Sequence, residues 1–300
     1  LFHSFKLQPS VITNLAFIFN REIKIINHIT GLGYAFTSKS PSSLFFRIVS
    51  ISLYQFIFLF SDNIIVQNNT DLNFFSKFLF IKKKLVLIPG SGLDLVKFSK
   101  ENVDKIIVKK LKEHICIDNG DKVVTFIGRL LKDKGIEEFL KAAEDISKSN
   151  DNVKFVIAGW MDESNPSCIS MRKLEKYLSN GKIVYLGEIS EVRELLYLTD
   201  VFVLPTYREG FPRSVMEAMA MNVPVITTNV PGANEVVTHN YDGIVIEPQN
   251  VRVLSEAIIA LLNNQSLVRK LSVNGRVSAE KKFSEKIIFE KIINVYKDYL

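Results

Sequence analysis

Two glutamates in one short segment are the strongest chemical signal in the sequence. Glu209 and Glu217 have seven residues between them, and Pro212 between them is a residue that commonly occupies the first turn of a helix. Backbone N–H groups at Gly210 and Phe211, just before that helix, can bind an anion, and carboxylates accept hydrogen bonds from hydroxyls. The segment therefore predicts a site for a polyhydroxylated anion. The alternative is an ordinary capped helix with solvated acids.

A second candidate anion site lies earlier, in the segment 128–135. Gly128 and Gly135 permit tight turns. Arg129 can bind a phosphate through two N–H groups, and Lys134 supplies a point charge. Such a loop is often only solvated. It directly follows a predicted strand, however, so it is expected at the same sheet edge as Glu209.

The elements that position these residues are short apolar runs alternating with amphipathic helical segments. Strands buried on both faces and separated by helices are typical of a parallel, doubly wound sheet. Ligands of such sheets bind beyond the carboxyl ends of the strands. The predicted strands are 123–127, 153–158, 183–186, 201–204, 223–227 and 244–247.

The first hundred residues repeat this pattern less completely, with strands predicted at 23–26, 64–67 and 85–88 and helices at 11–19, 43–60 and 71–80. Two Rossmann-like units would then face each other across a cleft. We expect a partial first domain at 1–108, a second domain at 109–282, and a C-terminal helix at 283–300 that packs back on the first domain. Because the chain begins at Leu1 within this pattern, we expect a strand and a loop of the first domain to precede it.

Composition and charge limit the class of protein. With 47% hydrophobic residues and two cysteines, the chain is neither disordered nor a disulfide scaffold. Residues 1–100 hold 11 Lys or Arg, 4 Asp or Glu, and 15 of the 22 phenylalanines, which gives this third a net charge of +7. A basic and aromatic segment favours contact with an anionic membrane surface or an anionic amphiphile. Nucleic acid is not expected, since no binding motif accompanies the charge.

Residues 44–60 form the most apolar segment, although polar side chains interrupt it and its length is marginal for a transmembrane span. Two interpretations stay open. The segment is either a buried helix of the first domain or a surface helix that dips into the bilayer interface, where Lys82, Lys83 and Lys84 would contact anionic lipid.

The two candidate anion sites, in this order and setting, resemble retaining glycosyltransferase family 4, which has the GT-B architecture of two Rossmann-like domains. The resemblance extends from about residue 23 to residue 292. The stretches 30–34, 66–68 and 89–94 are similar to the branch that extends saccharides on a polyprenyl-diphosphate carrier. Further agreement with the family comes from Gly187, Pro205, Pro224, Gly232, Glu235 and Gly243.

The resemblance implies a retaining transferase that moves a hexose or N-acetylhexosamine from a nucleotide diphosphate sugar, with UDP as the expected nucleotide. The implied acceptor is a polyprenyl-diphosphate-linked saccharide, used in surface polysaccharide, lipopolysaccharide or glycan biosynthesis. No cofactor is expected, and no Asp-x-Asp pair suggests a metal. The expected location is cytoplasmic, with peripheral contact on the inner face of the cell membrane.

The resemblance also assigns roles within the cleft. Arg129 and Lys134 would bind the donor diphosphate, Glu209 would contact the donor sugar as the catalytic carboxylate, and Glu217 would hold the ribose diol. Cations and a helix amino terminus stabilise the negative charge of a departing nucleoside diphosphate. The complete implied donor site is Arg129, Lys134, Glu209, Gly210, Phe211 and Glu217.

The sequence departs from the family pattern at one catalytic position. Many relatives place a histidine directly before the Gly-x-Gly stretch of the first domain, whereas Thr30 holds that position here. His28 lies two residues earlier and, in a strand, faces the same side. His28 is therefore a second catalytic candidate; the alternative is a histidine of the core or the rim.

Two other classes of protein share parts of this pattern. A nicotinamide-dependent oxidoreductase would share the parallel sheets but should carry Gly-x-Gly-x-x-Gly after its first strand, and the sequence has none. A non-catalytic sugar- or nucleotide-binding protein on the same scaffold remains the alternative function.

Overall fold

The computed structural model describes residues 1–20, 22–32, 36, 41–78, 84–179 and 181–300. In these ranges the strands form two parallel sheets, ordered β1-β2-β3-β4 and β10-β9-β8-β5-β6-β7. The strands are β1 (Phe2–Phe5), β2 (Ile25–Ile29), β3 (Asn63–Val66), β4 (Leu85–Leu87), β5 (Lys122–Ile127), β6 (Val153–Ala158), β7 (Ile183–Tyr185), β8 (Val201–Leu204), β9 (Val225–Thr228) and β10 (Ile244–Ile246).

Helices cover both faces of each sheet, which explains why the central strands are almost wholly buried. They are α1 (Leu7–Phe17), α2 (Pro41–Phe60), α3 (Asn69–Phe75), α4 (Lys105–Ile115), α5 (Ile136–Ser147), α6 (Met171–Leu178), α7 (Val192–Leu198), α8 (Arg213–Ala220), α9 (Ala233–Val236), α10 (Val251–Asn263), α11 (Gln265–Lys282) and α12 (Glu285–Lys297). The predicted fold class, two Rossmann-like parallel sheets, is confirmed.

The first sheet begins with a strand that the sequence pattern did not predict. β1 is only four residues long, and β2 is shifted toward the C-terminus relative to the predicted run because it contains Asn27 and His28. Both polar side chains are buried. Asn27 is hydrogen-bonded, accepting from Ser4 Oγ at 2.5 Å and donating to Ser61 Oγ. A rule that searches for apolar runs misses a strand whose buried polar groups are paired within the domain.

The chain crosses to the second domain between β4 and α4 and returns at its end. After α11, helix α12 packs on the first sheet, where Ile288 and Val295 join a buried cluster with Ile26, Ile65 and Ile88. The last helix therefore ties the two domains together.

Helix α2 combines features of both interpretations of segment 44–60. Its C-terminal half contributes Tyr54, Ile57 and Phe58 to the core of the first domain. Its N-terminal half exposes large apolar side chains, namely Leu44, Phe45, Phe46, Ile48 and Val49. None of the helices among the described residues combines the length and apolar composition that crossing a bilayer requires.

Candidate active site

The carboxyl ends of the two sheets face each other across a cavity of about 370 Å³. This is where the alternating pattern predicted a ligand site. The wall formed by the first domain consists of Lys6, Leu7, Thr30, Gly31, Leu32 and Tyr54. The wall formed by the second domain consists of Arg129, Asp133, Lys134, Asn165, Arg208, Glu209 and Gly210. Four of the predicted donor-site residues, Arg129, Lys134, Glu209 and Gly210, therefore lie together.

The central contact of the cavity is an ion pair between Lys134 and Glu209. Lys134 Nζ lies 2.6 Å from Glu209 Oε1, and both side chains are mostly buried. Lys134 ends a short 3₁₀ turn, and Gly135 after it has a φ of 76°. A Cβ at Gly135 would overlap the carbonyl group of Pro205. Gly135 thus lets the turn approach the end of β8, which brings the lysine to the glutamate.

Arg129 lies beside this pair, at the end of β5. Its Nη1 donates to Asp162 Oδ2 at 3.0 Å, and Ser164 Oγ donates to the other Asp162 oxygen at 2.8 Å. The guanidinium is held from one side while the side chain stays 43% exposed. Its remaining N–H groups can therefore bind an anion in the cavity.

Glu217 and Phe211, two of the predicted donor-site residues, are not among the described residues that line the cavity. Glu217 is buried on α8 and accepts from Arg213 Nε at 2.8 Å; burial raises the pKa of its carboxyl, and Arg213 opposes that shift. The ring of Phe211 packs edge-on against Phe283, with centroids 5.4 Å apart, and covers Gly90. Phe211 therefore joins the domains through its side chain.

Gly210 is a point of close approach between the second domain and the first. A Cβ at this position would overlap the carbonyl oxygen of Thr30. The carbonyl oxygen of Gly210 accepts a hydrogen bond from Asn68 Nδ2 at 3.0 Å. Only glycine allows this approach, which closes the cavity beside Glu209.

His28 lies in the core of the first domain, behind the cavity wall. Its ring packs against Phe5 and His3, with centroids 5.0 Å and 5.5 Å away. Nε2 of His28 is 3.3 Å from Nε2 of Gln67. Only 1% of the residue is exposed, and it is not among the described residues that line the cavity. This position favours the interpretation of His28 as a core histidine.

We expect His28 to make stability depend on pH. Burial, and secondarily the nearby His3, lower the pKa of His28 to about 4. As the pH falls below 6.5, His28 binds a proton in the unfolded chain but not in the folded chain, so the free energy of unfolding decreases. This decrease is complete below pH 4. Between pH 7 and pH 4.5 the loss should be roughly 2 kcal/mol.

Urea denaturation of the wild type and of His28→Gln at several pH values measures this contribution. Carboxylates titrate in both proteins, so the difference between the two curves isolates the imidazole. His3 hydrogen-bonds Tyr296 of α12 at 2.6 Å, and burial also lowers its pKa, so it should account for some acid sensitivity that remains in the variant. Parallel curves would show that His28 does not supply the predicted loss.

Sequence reasoning missed most of the cavity's first-domain wall and the ion pairs that hold the site. Lys6 and Tyr54 carry no motif, and Asp162 looks like any loop carboxylate. Arg208 had a usable signal because it directly precedes Glu209. Its partner, Asp71, lies 137 residues away in the first domain, a separation that spacing rules cannot bridge.

No group of three or more His, Cys, Asp or Glu side chains in the described part of the chain is arranged to hold a metal ion. The charged side chains that line the cavity are those of Lys6, Arg129, Asp133, Lys134, Arg208 and Glu209. The site is therefore suited to binding an anionic, hydroxyl-bearing ligand through direct contacts.

Two Rossmann-like domains that enclose such a cavity define the GT-B class of proteins. The model of the family described as "Glycosyl transferases group 1" matches residues 108–278, more than half of the chain. The protein belongs to this family, which confirms the resemblance seen in the sequence.

Known relatives agree with this assignment. Over 268 residues the chain is 32% identical to an N,N'-diacetylbacillosaminyl-diphospho-undecaprenol alpha-1,3-N-acetylgalactosaminyltransferase of Campylobacter jejuni, covering 89% of this chain and 69% of that protein. It is 26% identical over 281 residues to a UDP-Gal:alpha-D-GlcNAc-diphosphoundecaprenol alpha-1,3-galactosyltransferase of Escherichia coli, covering 91% and 69%. Among solved structures, Anabaena Alr3699/HepE in complex with UDP-glucose shares the fold, with a TM-score of 0.82 and 17% identity over 99% of this chain and 78% of that one.

Proposed function

We propose that the protein is a retaining glycosyltransferase that moves a hexose or N-acetylhexosamine from a UDP-sugar to a polyprenyl-diphosphate-linked saccharide in surface polysaccharide or glycan biosynthesis. The observation that carries the proposal is the Lys134–Glu209 pair in the cavity between the domains. The names of the two relatives support the acceptor class, and one of them supports the nucleotide.

In the proposed donor site, some residues bind the diphosphate charge and others bind the sugar hydroxyls. Arg129 and Lys134 would stabilise the negative charge that builds up on the departing diphosphate. Glu209 would accept hydrogen bonds from the sugar hydroxyls, which places the reacting carbon near the same cations. Glu217 on α8 would hold the ribose. The backbone N–H groups of Gly210 and Phe211 would complete the anion site ahead of α8.

A transfer assay tests the proposal. The protein is incubated with a panel of UDP-sugars and a polyprenyl-diphosphate disaccharide, with and without EDTA, and products are read by mass spectrometry. We expect one UDP-sugar to be transferred and the chelator to leave the rate unchanged, because no metal is needed to balance the diphosphate charge. UDP binding without transfer of any sugar would favour the non-catalytic alternative.

We also propose that the first domain contacts an anionic membrane surface, where a polyprenyl-linked acceptor would reside. Leu44, Phe45, Phe46 and Ile48 on α2 are each more than half exposed. The net charge of +7 in the first hundred residues would add attraction to anionic lipid. Lys82 and Lys83 lie outside the described residues. Lys84 donates to the carbonyl oxygen of Ser61 at 2.6 Å, so its charge also serves within the domain.

Replacing Phe45 and Phe46 with serine should weaken binding to anionic vesicles by about tenfold or more, because each exposed ring would otherwise leave water on binding. Cosedimentation with phosphatidylglycerol vesicles measures the change. Ile106→Ser, at an equally exposed apolar position on α4, which packs against α7, is the matched control and should bind like the wild type. Equal vesicle binding by the double variant and the wild type would exclude α2 as the contact.

A further inference from the structure

A polar contact across the cavity edge links α3 of the first domain to the loop that carries Glu209. Asp71 lies in the first turn of α3 and is fully buried. Its Oδ1 accepts a hydrogen bond from Arg208 Nη2, which makes an ion pair between the two domains. Arg208 directly precedes Glu209 in the chain. The carboxylate of Asp71 thus holds the residue next to the proposed catalytic group.

Asn68 fixes this carboxylate from the other side. Its side-chain oxygen accepts from the Asp71 backbone N–H at 2.7 Å, and its Nδ2 donates to Asp71 Oδ2 at 3.0 Å. The same Nδ2 donates to the carbonyl oxygen of Gly210, also at 3.0 Å. The first domain therefore contacts the loop at both residues that flank Glu209, Arg208 and Gly210.

We propose that Asp71 is a positioning residue: through Arg208, and together with Asn68, it holds Glu209 in its reactive position when the two domains meet. This inference rests on the proposed function and adds a role for a first-domain residue that does not touch the cavity. The cavity lining includes Arg208, Glu209 and Gly210, whereas Asp71 is not among the lining residues.

A buried ion pair such as Asp71–Arg208 contributes more to the geometry of the site than to the stability of the fold. Burial raises the pKa of the Asp71 carboxyl, and Arg208 and Asn68 offset that shift. Bringing both charges out of water costs much of what their attraction returns, so the pair adds little stability yet strongly penalises misalignment. Arg208 Nε is buried without a hydrogen-bond partner among the described residues, so Asp71 provides the ionic contact that orients this side chain.

Domain closure and the position of Glu209 should also depend on each other. If the domains separate, the contacts of Arg208 with Asp71 and of Gly210 with Asn68 are lost, and the loop that carries Glu209 is released. Any ligand that holds Glu209 and Lys134 in place should then favour the closed arrangement by the same free energy that closure contributes to its binding.

A double-mutant cycle of Asp71→Asn and Arg208→Gln tests the proposal. Turnover number, KM for the UDP-sugar, UDP dissociation constant and melting temperature are measured for the wild type, both single variants and the double variant. We expect each single change to lower kcat by about tenfold to a hundredfold, because a displacement near 1 Å of a reacting group costs that much. UDP affinity should change by less than threefold. The double variant should be no slower than the slower single one, since one contact is lost in each.

Asp62→Asn is the matched control, because Asp62 also forms an ion pair in the first domain, with Lys24 at 3.4 Å, but lies away from the cavity. It should keep the wild-type kcat whatever its effect on melting temperature. A wild-type kcat in Asp71→Asn, or independent and additive losses in the cycle, would overturn the proposal and leave a structural ion pair. If Asp71→Asn does not fold, Arg208→Gln alone decides by the same kcat criterion. Absence of transfer by the wild type would instead refute the proposed function.

Discussion

Lys134→Ala is expected to lower turnover by on the order of a hundredfold to a thousandfold and to weaken UDP binding. The lysine is mostly buried at the cavity edge, 2.6 Å from Glu209. In the proposed function it would stabilise the charge that a leaving diphosphate develops, and such preorganised contacts are typically worth a few kcal/mol. Steady-state kinetics and UDP titration calorimetry measure the two effects. Arg129→Ala should behave in the same direction with a smaller loss, because its side chain is more exposed.

Lys173→Ala is the matched control for Lys134→Ala. Lys173 also pairs with a glutamate in the second domain, Glu137 at 2.8 Å, but it does not line the cavity between the domains. Its loss should leave kcat unchanged, which separates a local charge effect from a general effect of removing a lysine. If Lys134→Ala kept wild-type UDP affinity and turnover, the diphosphate would bind elsewhere.

The second domain was largely predictable because its chemistry is local in the sequence. β6 and β8 have the predicted bounds, since their apolar residues are buried; Lys154 of β6 is half-buried. Arg129, Lys134 and Glu209 each follow a strand by a few residues. The carboxyl ends of neighbouring parallel strands meet at one edge, so residues that follow them converge without further information.

Most of the first-domain wall, and the ion pair that holds the loop of Glu209, could not be predicted because these contacts are made across the fold. Nothing in the spacing of Asp71 and Arg208 shows that they pair, and either carboxylate or guanidinium would have had many candidate partners. Gly210 was predicted for its backbone N–H, whereas its lack of a side chain is what lets Thr30 approach. The position of His28 depended on strand β1, which was itself missed, so the sequence could not decide between cleft and core.

Substitutions of Glu209 and Glu217 are expected to change different kinetic parameters. Glu209→Gln should lower kcat by about a hundredfold with a small change in KM, because in the proposed site the carboxylate would contact the part of the donor that changes in the transition state, and it also balances Lys134. Glu217→Gln should instead raise KM for the donor by about tenfold with kcat nearly unchanged, because the ribose that Glu217 would hold is remote from the reacting carbon and would bind equally in both states. Both substitutions keep the side-chain shape, remove the charge and replace one acceptor oxygen with an NH2 donor.

Single-turnover measurements with the preferred UDP-sugar, together with UDP binding, separate these outcomes from a change in product release. The position of Glu217 offers a direct test of its part of the prediction. Its carboxylate is buried against Arg213 and is not among the described residues that line the cavity. Donor and UDP affinities unchanged in Glu217→Gln would show that Glu217 only pairs with Arg213 on α8. Because Glu209 reaches the cavity on its own loop, held by contacts from the first domain, such a result would leave the prediction for Glu209 intact.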